Sequence, residues 1–303
     1  MDSTVDTTVK AALHGRVTVV MNTASGSFTP KSASEAEAIF RGAGLDQASI
    51  TCVSPDELEK ALDQAVQEAD VLVVLGGDGT IRSAAEKCGR GRGYLIPLPG
   101  GTMNMLPKAL YGSRDWRNAL TDTLAQPKAH AVSGGRAQGH AFFVAALAGA
   151  PTLWADAREA VRSGHLIEAG RRAATAMRRG FSEPLTYRFE NGVSGSAEAV
   201  AVMCPLVSKA MAEDERRLEA AAIDAKSAGD VLSLGFHALF ADWRSDPNVV
   251  RAKVRTLTVT GRGRVPVTLD GERVRLGREV QIEFTPLAFR ALVPANSDQL
   301  SEA

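Results

Sequence analysis

The chain has 303 residues, 35 basic and 35 acidic side chains, and a hydrophobic fraction of 45%. This composition is typical of a globular protein of one or two domains, and it excludes the disordered and fibrous classes. The zero net charge argues against a nucleic-acid partner, because proteins that bind duplexes usually carry a basic excess. Three scattered cysteines predict no disulfide framework. Since we find neither a signal-peptide segment nor an apolar run of membrane-spanning length, we expect a cytoplasmic protein.

Strands and helices alternate in the first part of the chain. Short apolar runs predict strands at 16–21, 49–53, 71–75 and 94–98, and helical patterns lie between them at 34–41, 54–68 and 80–88. Such alternation indicates a parallel sheet that binds its ligands at the carboxyl ends of the strands. We therefore predict an α/β fold that begins with a doubly wound, nucleotide-binding domain over residues 1–128.

The remaining residues, 129–303, have a different pattern. Predicted strands cover 141–147, 185–189, 197–203, 256–260, 264–269, 279–284 and 289–293. Most of them lack a long helix in between, which favours an antiparallel sandwich or barrel. Helical patterns at 152–179 and 208–243 interrupt these strands. We predict a second domain that is an antiparallel β-sandwich with helical insertions.

Three polar loops follow predicted strands of the first domain. They are Asn22–Ser27, Gly76–Thr80 and Pro99–Asn104, and the last two each open a helix. Glycine lets the backbone approach a phosphate, and the free N–H groups of a helix start complement its charge. An aspartate in such a loop, Asp78, points to a metal ion or a donor hydroxyl beside it. Neither a P-loop nor a dinucleotide fingerprint is present, and the alternative is three ordinary turns.

Four motifs in this order resemble the diacylglycerol kinase catalytic-domain family, which includes bacterial soluble lipid kinases and the sphingosine and ceramide kinases. They are Asn22-Thr23-Ala24-Ser25-Gly26, Gly76-Gly77-Asp78-Gly79-Thr80, Leu98-Pro99-Gly100-Gly101-Thr102-x-Asn104 and Leu269-Asp270-Gly271-Glu272. In the first motif, Thr23 stands where the family usually has proline. The second motif alone is shared with NAD kinases, whereas the set of four is specific.

The resemblance implies transfer of the γ-phosphoryl group of ATP to a lipid hydroxyl, with Mg²⁺. Matched position by position, it implies an ATP site made of Asn22, Thr23, Ala24, Ser25, Gly26, Thr51, Gly76, Gly77, Asp78, Gly79, Thr80, Gly100, Gly101, Thr102 and Asn104. It also makes Asp270, Glu272 and Asp78 the catalytic carboxylates. One of the pair Asp270 and Glu272 would accept the hydroxyl proton while the other orients the hydroxyl or the metal. From the residues alone, Asp-Gly is equally a hairpin turn.

The chain departs from the family pattern at three places. The family usually has other residues at the positions of Asn104–Lys108 and Ala148–Trp154. The segment Glu215–Glu219 keeps an acid of the family's metal loop but not its glycine. Glu215 is the candidate ligand of a structural metal. These departures leave open which lipid is the acceptor and whether the structural metal is bound.

The segment 158–179 carries six arginines against two glutamates. It predicts either a peripheral contact with the inner face of the membrane or a solvated helical face. A homodimer is compatible with the sequence. Two other functions are kept as alternatives: a soluble kinase of the NAD kinase type, whose later signatures we do not find, and a nucleotide-binding regulator that has lost activity.

Overall fold

The computed structural model describes residues 2–149, 184–212, 214–224 and 249–295. The chain divides into two compact units, the first made of Met1–Ser133 with Pro286–Ala303 and the second of Gly134–Thr285. The predicted insertion at 152–179 lies outside the described residues. No helix within the described ranges is long and apolar enough to cross a membrane.

The first unit is a parallel sheet with helices. Its helices are α1 (Asp2–Leu13), α2 (Ser32–Gly42), α3 (Pro55–Glu68), α4 (Asp78–Cys88), α5 (Met105–Tyr111) and α6 (Trp116–Ala125). Its strands are β1 (Val17–Asn22), β2 (Ser49–Val53), β3 (Val71–Gly76) and β4 (Tyr94–Pro99), in the spatial order β2-β1-β3-β4. The predicted alternation of strands and helices is confirmed.

The sequence explains the centre of this sheet and the start of α3. All six residues of β3 are buried, as expected of a strand covered on both faces. At the start of α3, the Glu57 carboxylate accepts hydrogen bonds from the Ser54 N–H (3.4 Å) and hydroxyl (2.8 Å). One face of α3 then buries Leu58, Leu62 and Ala65. A capped, amphipathic helix before the buried strand β3 therefore forms where the sequence predicts it.

The second unit consists of antiparallel strands. The strands that lie entirely within this unit are β6 (His140–Phe142), β7 (Ala145–Gly149), β8 (Leu185–Phe189), β9 (Ser194–Ala197), β10 (Ala199–Met203), β11 (Leu218–Ile223), β12 (Val249–Val254), β13 (Thr256–Thr260), β14 (Pro266–Leu269) and β15 (Glu272–Arg275). Two more, β5 (Pro127–Ala137) and β16 (Glu279–Pro294), have residues in both units. One six-stranded sheet has the order β12-β11-β10-β7-β14-β15, and the strands β16-β13-β8-β9 are neighbours in that order within a ten-stranded sheet. Side chains of both sheets share one hydrophobic core, including Phe142, Phe189, Val202, Val267 and Ile282.

Two predicted elements are wrong. Leu218–Ile223, part of the predicted helix 208–243, is the strand β11, because it pairs with β10 on one side and β12 on the other and is buried throughout. Its alanines favour a helix locally, and the sheet overrides that preference. The predicted strands 279–284 and 289–293 are one strand, β16. Pro286 falls between the pairing with β13, which ends at Glu283, and the pairing with β4 at Ala291, so its missing N–H interrupts neither.

Candidate functional site

The three predicted loops of the first unit lie at one edge of its sheet. They follow β1, β3 and β4, which are parallel neighbours, so their carboxyl ends meet. The Ser27 N–H donates to the Gly100 carbonyl (3.0 Å), and the Gly100 N–H donates to the Gly76 carbonyl (2.9 Å). Main-chain hydrogen bonds therefore join all three loops.

Glycine is required where the second and third loops touch. A Cβ atom on Gly100 would lie 2.9 Å from the nitrogen and the oxygen of Gly76, and one on Gly101 would lie 2.8 Å from the Cα of Gly77. Such distances are shorter than real Cβ contacts, so a larger residue would push the loops apart. By contrast, a Cβ atom on Gly26 would meet nothing closer than 3.7 Å. The backbone around Gly26 thus leaves room for another group.

Asp78 fastens the second loop to the third. Its carboxylate accepts hydrogen bonds from the main-chain N–H groups of Asn104 (2.9 Å) and Met105 (2.6 Å). Burial raises the pKa of Asp78 above its usual value, and these two donors together with the nearby Lys108 ammonium offset part of that rise. An added cation would favour the ionised form further. Lys108 was not among the predicted site residues, and no motif in the sequence marks it.

Asn104 closes its own loop. Its backbone is left-handed (φ 50°), and its side-chain amide exchanges two hydrogen bonds with the main chain of Gly101, each 2.7 Å long. Asparagine adopts this conformation more readily than most residues. Asn104 was predicted to line the ATP site, and its side chain is already engaged in shaping that loop.

The first loop contains a buried hydroxyl that has no partner in the described part of the chain. Ser25 Oγ is inaccessible to solvent and makes no hydrogen bond with any described residue. Beside it, the Asn22 side chain accepts a hydrogen bond from the Ala24 N–H (3.0 Å) and donates one to the Thr80 hydroxyl (3.0 Å). A buried polar group normally has a partner, so the Ser25 hydroxyl is a candidate donor to a ligand.

The remaining predicted residues of this site lie at its margins. Thr23 is exposed and is tied through its N–H and hydroxyl to the Val53 carbonyl. Gly79 lies in the first turn of α4, and Thr102 is exposed in the third loop. Thr51 pairs with Val20 inside β2, two residues before that strand ends. Of all the predicted ATP-site residues, Thr51 lies furthest back from the loop edge of its strand.

Asp270 and Glu272 belong to the second unit and differ sharply in environment. Asp270 and Gly271 both have positive φ (49° and 83°) and form the two-residue turn between β14 and β15. This is the hairpin geometry that Asp-Gly favours. The Asp270 side chain is 3% exposed, whereas Glu272 is exposed and has no ion pair or hydrogen bond with the described residues.

Three main-chain donors surround the Asp270 carboxylate. The N–H groups of Phe143 (2.9 Å), Val144 (2.8 Å) and Ala145 (3.0 Å) all donate to it, and its own N–H donates to the Ala145 carbonyl (2.8 Å). Hydrogen bonds to a charged acceptor are stronger than neutral ones. Asp270 therefore fixes the turn to the chain between β6 and β7, an arrangement that the sequence motif does not reveal.

The surroundings of Glu215 do not fit a structural metal. Its carboxylate lies 3.0 Å from the Lys253 ammonium, and the only other acid of that motif, Glu219, is buried against the Ser208 hydroxyl. Within the described ranges, no group of three or more His, Cys, Asp or Glu side chains could hold a metal ion. We therefore assign no chemistry to a metal at Glu215.

Residues 16–137 match the family model of the diacylglycerol kinase catalytic domain. No curated protein sequence matches the chain. Similar solved structures include a diacylglycerol kinase from Bacillus anthracis str. Sterne, at 15% identity and a TM-score of 0.67 over 93% of this chain and 97% of that one. They also include an NAD kinase from Archaeoglobus fulgidus in complex with ATP, at 13% identity and a TM-score of 0.51 over 94% and 96%. At these identities, the structures show the fold alone. Residues 16–137 are thus similar to the diacylglycerol kinase catalytic domain.

Proposed function

We propose that this protein is an ATP-dependent lipid kinase, which transfers the γ-phosphoryl group of ATP to the hydroxyl of a membrane lipid such as diacylglycerol or a ceramide or sphingoid lipid. The observation that carries the proposal is the set of three joined loops with the unpartnered Ser25 hydroxyl, in a chain that also contains Leu269-Asp270-Gly271-Glu272. In this proposal the protein works in the cytoplasm, where ATP is available, and meets its acceptor at the membrane.

The phosphates of ATP would bind at the edge formed by the three loops. The α4 helix begins at Asp78, so the N–H groups of its first turn are available to an anion. The Ser25 hydroxyl would donate to a phosphate oxygen, since it has no partner among the described residues. The close contacts of Gly76 and Gly100 keep these donors in place before ATP arrives. A preformed set of donors is what phosphoryl transfer needs most.

The donor set also fits Mg²⁺, which prefers carboxylate and phosphate oxygens. Asp78 would hold the ion, because each of its two oxygens accepts one main-chain hydrogen bond and keeps a lone pair free. When bound, the ion supplies positive charge that offsets the charge of the phosphates. The carboxylate itself has a second task, which is to hold the Asn104–Met105 turn against the second loop.

Glu272 is the better candidate for the base that receives the acceptor's proton. It is exposed and has no partner among the described residues, whereas three main-chain donors already occupy Asp270. The acceptor oxygen would form a bond to the γ-phosphorus, its proton would pass to the Glu272 carboxylate, and ADP would leave. Asp270 would act as a positioning residue that holds the turn bearing Glu272.

The soluble alternative is a kinase of the NAD kinase type. Its second loop would look the same, because the sequence Gly76–Thr80 is shared by both families. The lipid kinase is favoured because Leu269-Asp270-Gly271-Glu272 matches the lipid branch and the later NAD kinase signatures are missing from the chain.

The test is transfer of labelled phosphate from Mg-ATP to vesicles that contain diacylglycerol, ceramide or neither, with NAD as a soluble acceptor in parallel. Glu272→Gln should lower the rate about 10²-fold or more, the usual size of a general-base effect. Glu279→Gln is the matched control, since Glu279 is also exposed and the charge change is the same. Phosphorylation of NAD would overturn the proposal of a lipid acceptor. Equal rates for the two variants would overturn the role of Glu272.

A further inference from the structure

Four arginines gather at the base of the β14–β15 hairpin, at the end away from the Asp-Gly turn. Two chain segments run side by side there: the Gly261 N–H donates to the Arg278 carbonyl (2.9 Å), and the Val265 N–H donates to the Gly277 carbonyl (3.0 Å). The arginines on these segments, which we call the arginine cluster, are Arg262, Arg264, Arg275 and Arg278.

The arginine cluster is exposed and has no acidic partner among the described residues. All four side chains are exposed. Arg278 Nε donates to the Gly261 carbonyl (2.9 Å), a neutral acceptor, and the other three make no hydrogen bond or ion pair within the described chain. Arg117 of the first unit, by contrast, pairs with Glu35. The nearest acid along these segments is the exposed Glu279. The hairpin base therefore carries a local positive charge that no described residue neutralises.

The chemistry of this surface suits phosphate groups. A guanidinium group presents several donors in a fork that matches phosphate oxygens. A single-stranded nucleic acid would also need aromatic side chains on which its bases stack, and residues 261–279 contain no Phe, Tyr or Trp. A lipid bilayer needs only the charges.

We propose that the arginine cluster docks the second unit on an anionic lipid bilayer by contacting lipid phosphates. The choice of a bilayer rests on the proposed function, because the same hairpin carries Glu272. Arg275 and Glu272 are the two ends of β15 and lie about 10 Å apart at 3.3 Å per residue. Docking would thus bring the turn near the headgroups of the lipids that offer the hydroxyl.

The test measures sedimentation of the full chain with vesicles of phosphatidylcholine, either alone or mixed with phosphatidylglycerol, without ATP. One variant changes all four residues of the arginine cluster to Gln. The matched control makes the same change at four exposed arginines of the first unit, namely Arg16, Arg41, Arg90 and Arg92. A third variant changes the arginine cluster to Lys. Circular dichroism verifies that each variant is folded.

We expect binding to the mixed vesicles only, weakened by salt. It should fall by about fivefold for each arginine removed, which is about 1 kcal/mol each. The control and the Lys variant should keep most of the binding.

Equal losses in the cluster variant and the control would overturn a local docking surface, and so would unchanged binding of the cluster variant. Tighter binding to an RNA or DNA oligonucleotide, lost in the cluster variant, would overturn the bilayer as partner. Vesicle binding without lipid phosphorylation would instead refute the proposed function and leave the docking surface standing.

Discussion

Replacing Asp270 by asparagine should destabilise the protein, whereas Glu272→Gln should not. Asparagine accepts the left-handed backbone of the turn, so the substitution tests the carboxylate and not the turn conformation. The amide oxygen of the new asparagine can keep the hydrogen bonds from the N–H groups of Val144 and Ala145, which both donate to Oδ1 of Asp270. The amide nitrogen then faces the Phe143 N–H, so that two donors meet in a buried site.

The size of the effect follows from these contacts. A hydrogen bond to a charged group contributes about 1.5–3 kcal/mol, and an unsatisfied buried donor costs about 1–3 kcal/mol. We therefore expect Asp270→Asn to lower the free energy of unfolding by about 3 kcal/mol. For a unit of about 150 residues, this lowers the melting temperature by about 6–12 °C. Glu272 is exposed, and its substitution should change stability by less than about 0.5 kcal/mol.

Urea and thermal unfolding of the full chain, followed by circular dichroism, measure both variants against the unmutated protein. Turnover is measured on the same samples at a temperature where all of them are folded. A stable Asp270→Asn protein, no more affected than Glu272→Gln, would refute the idea that Asp270 holds the turn. Loss of stability only in Glu272→Gln would refute the assignment of both roles.

Three other outcomes can be measured in the first unit. Gly100→Ala should weaken ATP binding at least about tenfold, or about 1.4 kcal/mol, because the new Cβ atom would collide with Gly76. Calorimetry measures the affinity, and an unchanged value would contradict the tight contact. Asp78→Ala should abolish turnover in the vesicle assay, because it frees the third loop and removes the proposed ligand of Mg²⁺; normal turnover would exclude this site. A thiol reagent at neutral pH should modify the exposed Cys52 well before Cys88, whose pKa burial raises to about 12; equal rates would show that Cys88 is accessible.

The sequence was sufficient to predict the strands β1 to β4, the helices α2 to α4 and the three loops, because all of these depend on local patterns. A buried strand such as β3 is recognised from consecutive apolar residues, and the start of α3 from Ser54 and Glu57. Parallel strands bring their carboxyl ends to one edge, so the contact between Gly76 and Gly100 follows from the order of the elements.

Features that depend on distant pairing could not be predicted. Leu218–Ile223 looks helical from its alanines, and only the neighbouring strands β10 and β12 make it a strand. The donors to Asp270 lie 125 to 127 residues earlier in the chain, and no motif connects them with the turn. The salt bridge between Lys253 and Glu215 likewise depends on the register of β11 with β12, which sets Lys253 opposite Glu219.

The two interpretations of Asp270-Gly271-Glu272, as a hairpin turn or as a catalytic motif, are compatible. The turn needs two residues with positive φ, and aspartate and glycine both meet that need. The same geometry buries the Asp270 carboxylate among main-chain donors and leaves Glu272, the first residue of β15, exposed. A carboxylate that must receive a proton benefits from a fixed support, since a general base has to lie within hydrogen-bond reach of its substrate. In the proposed kinase, the hairpin is that support, and the motif combines a structural acid with a reactive one.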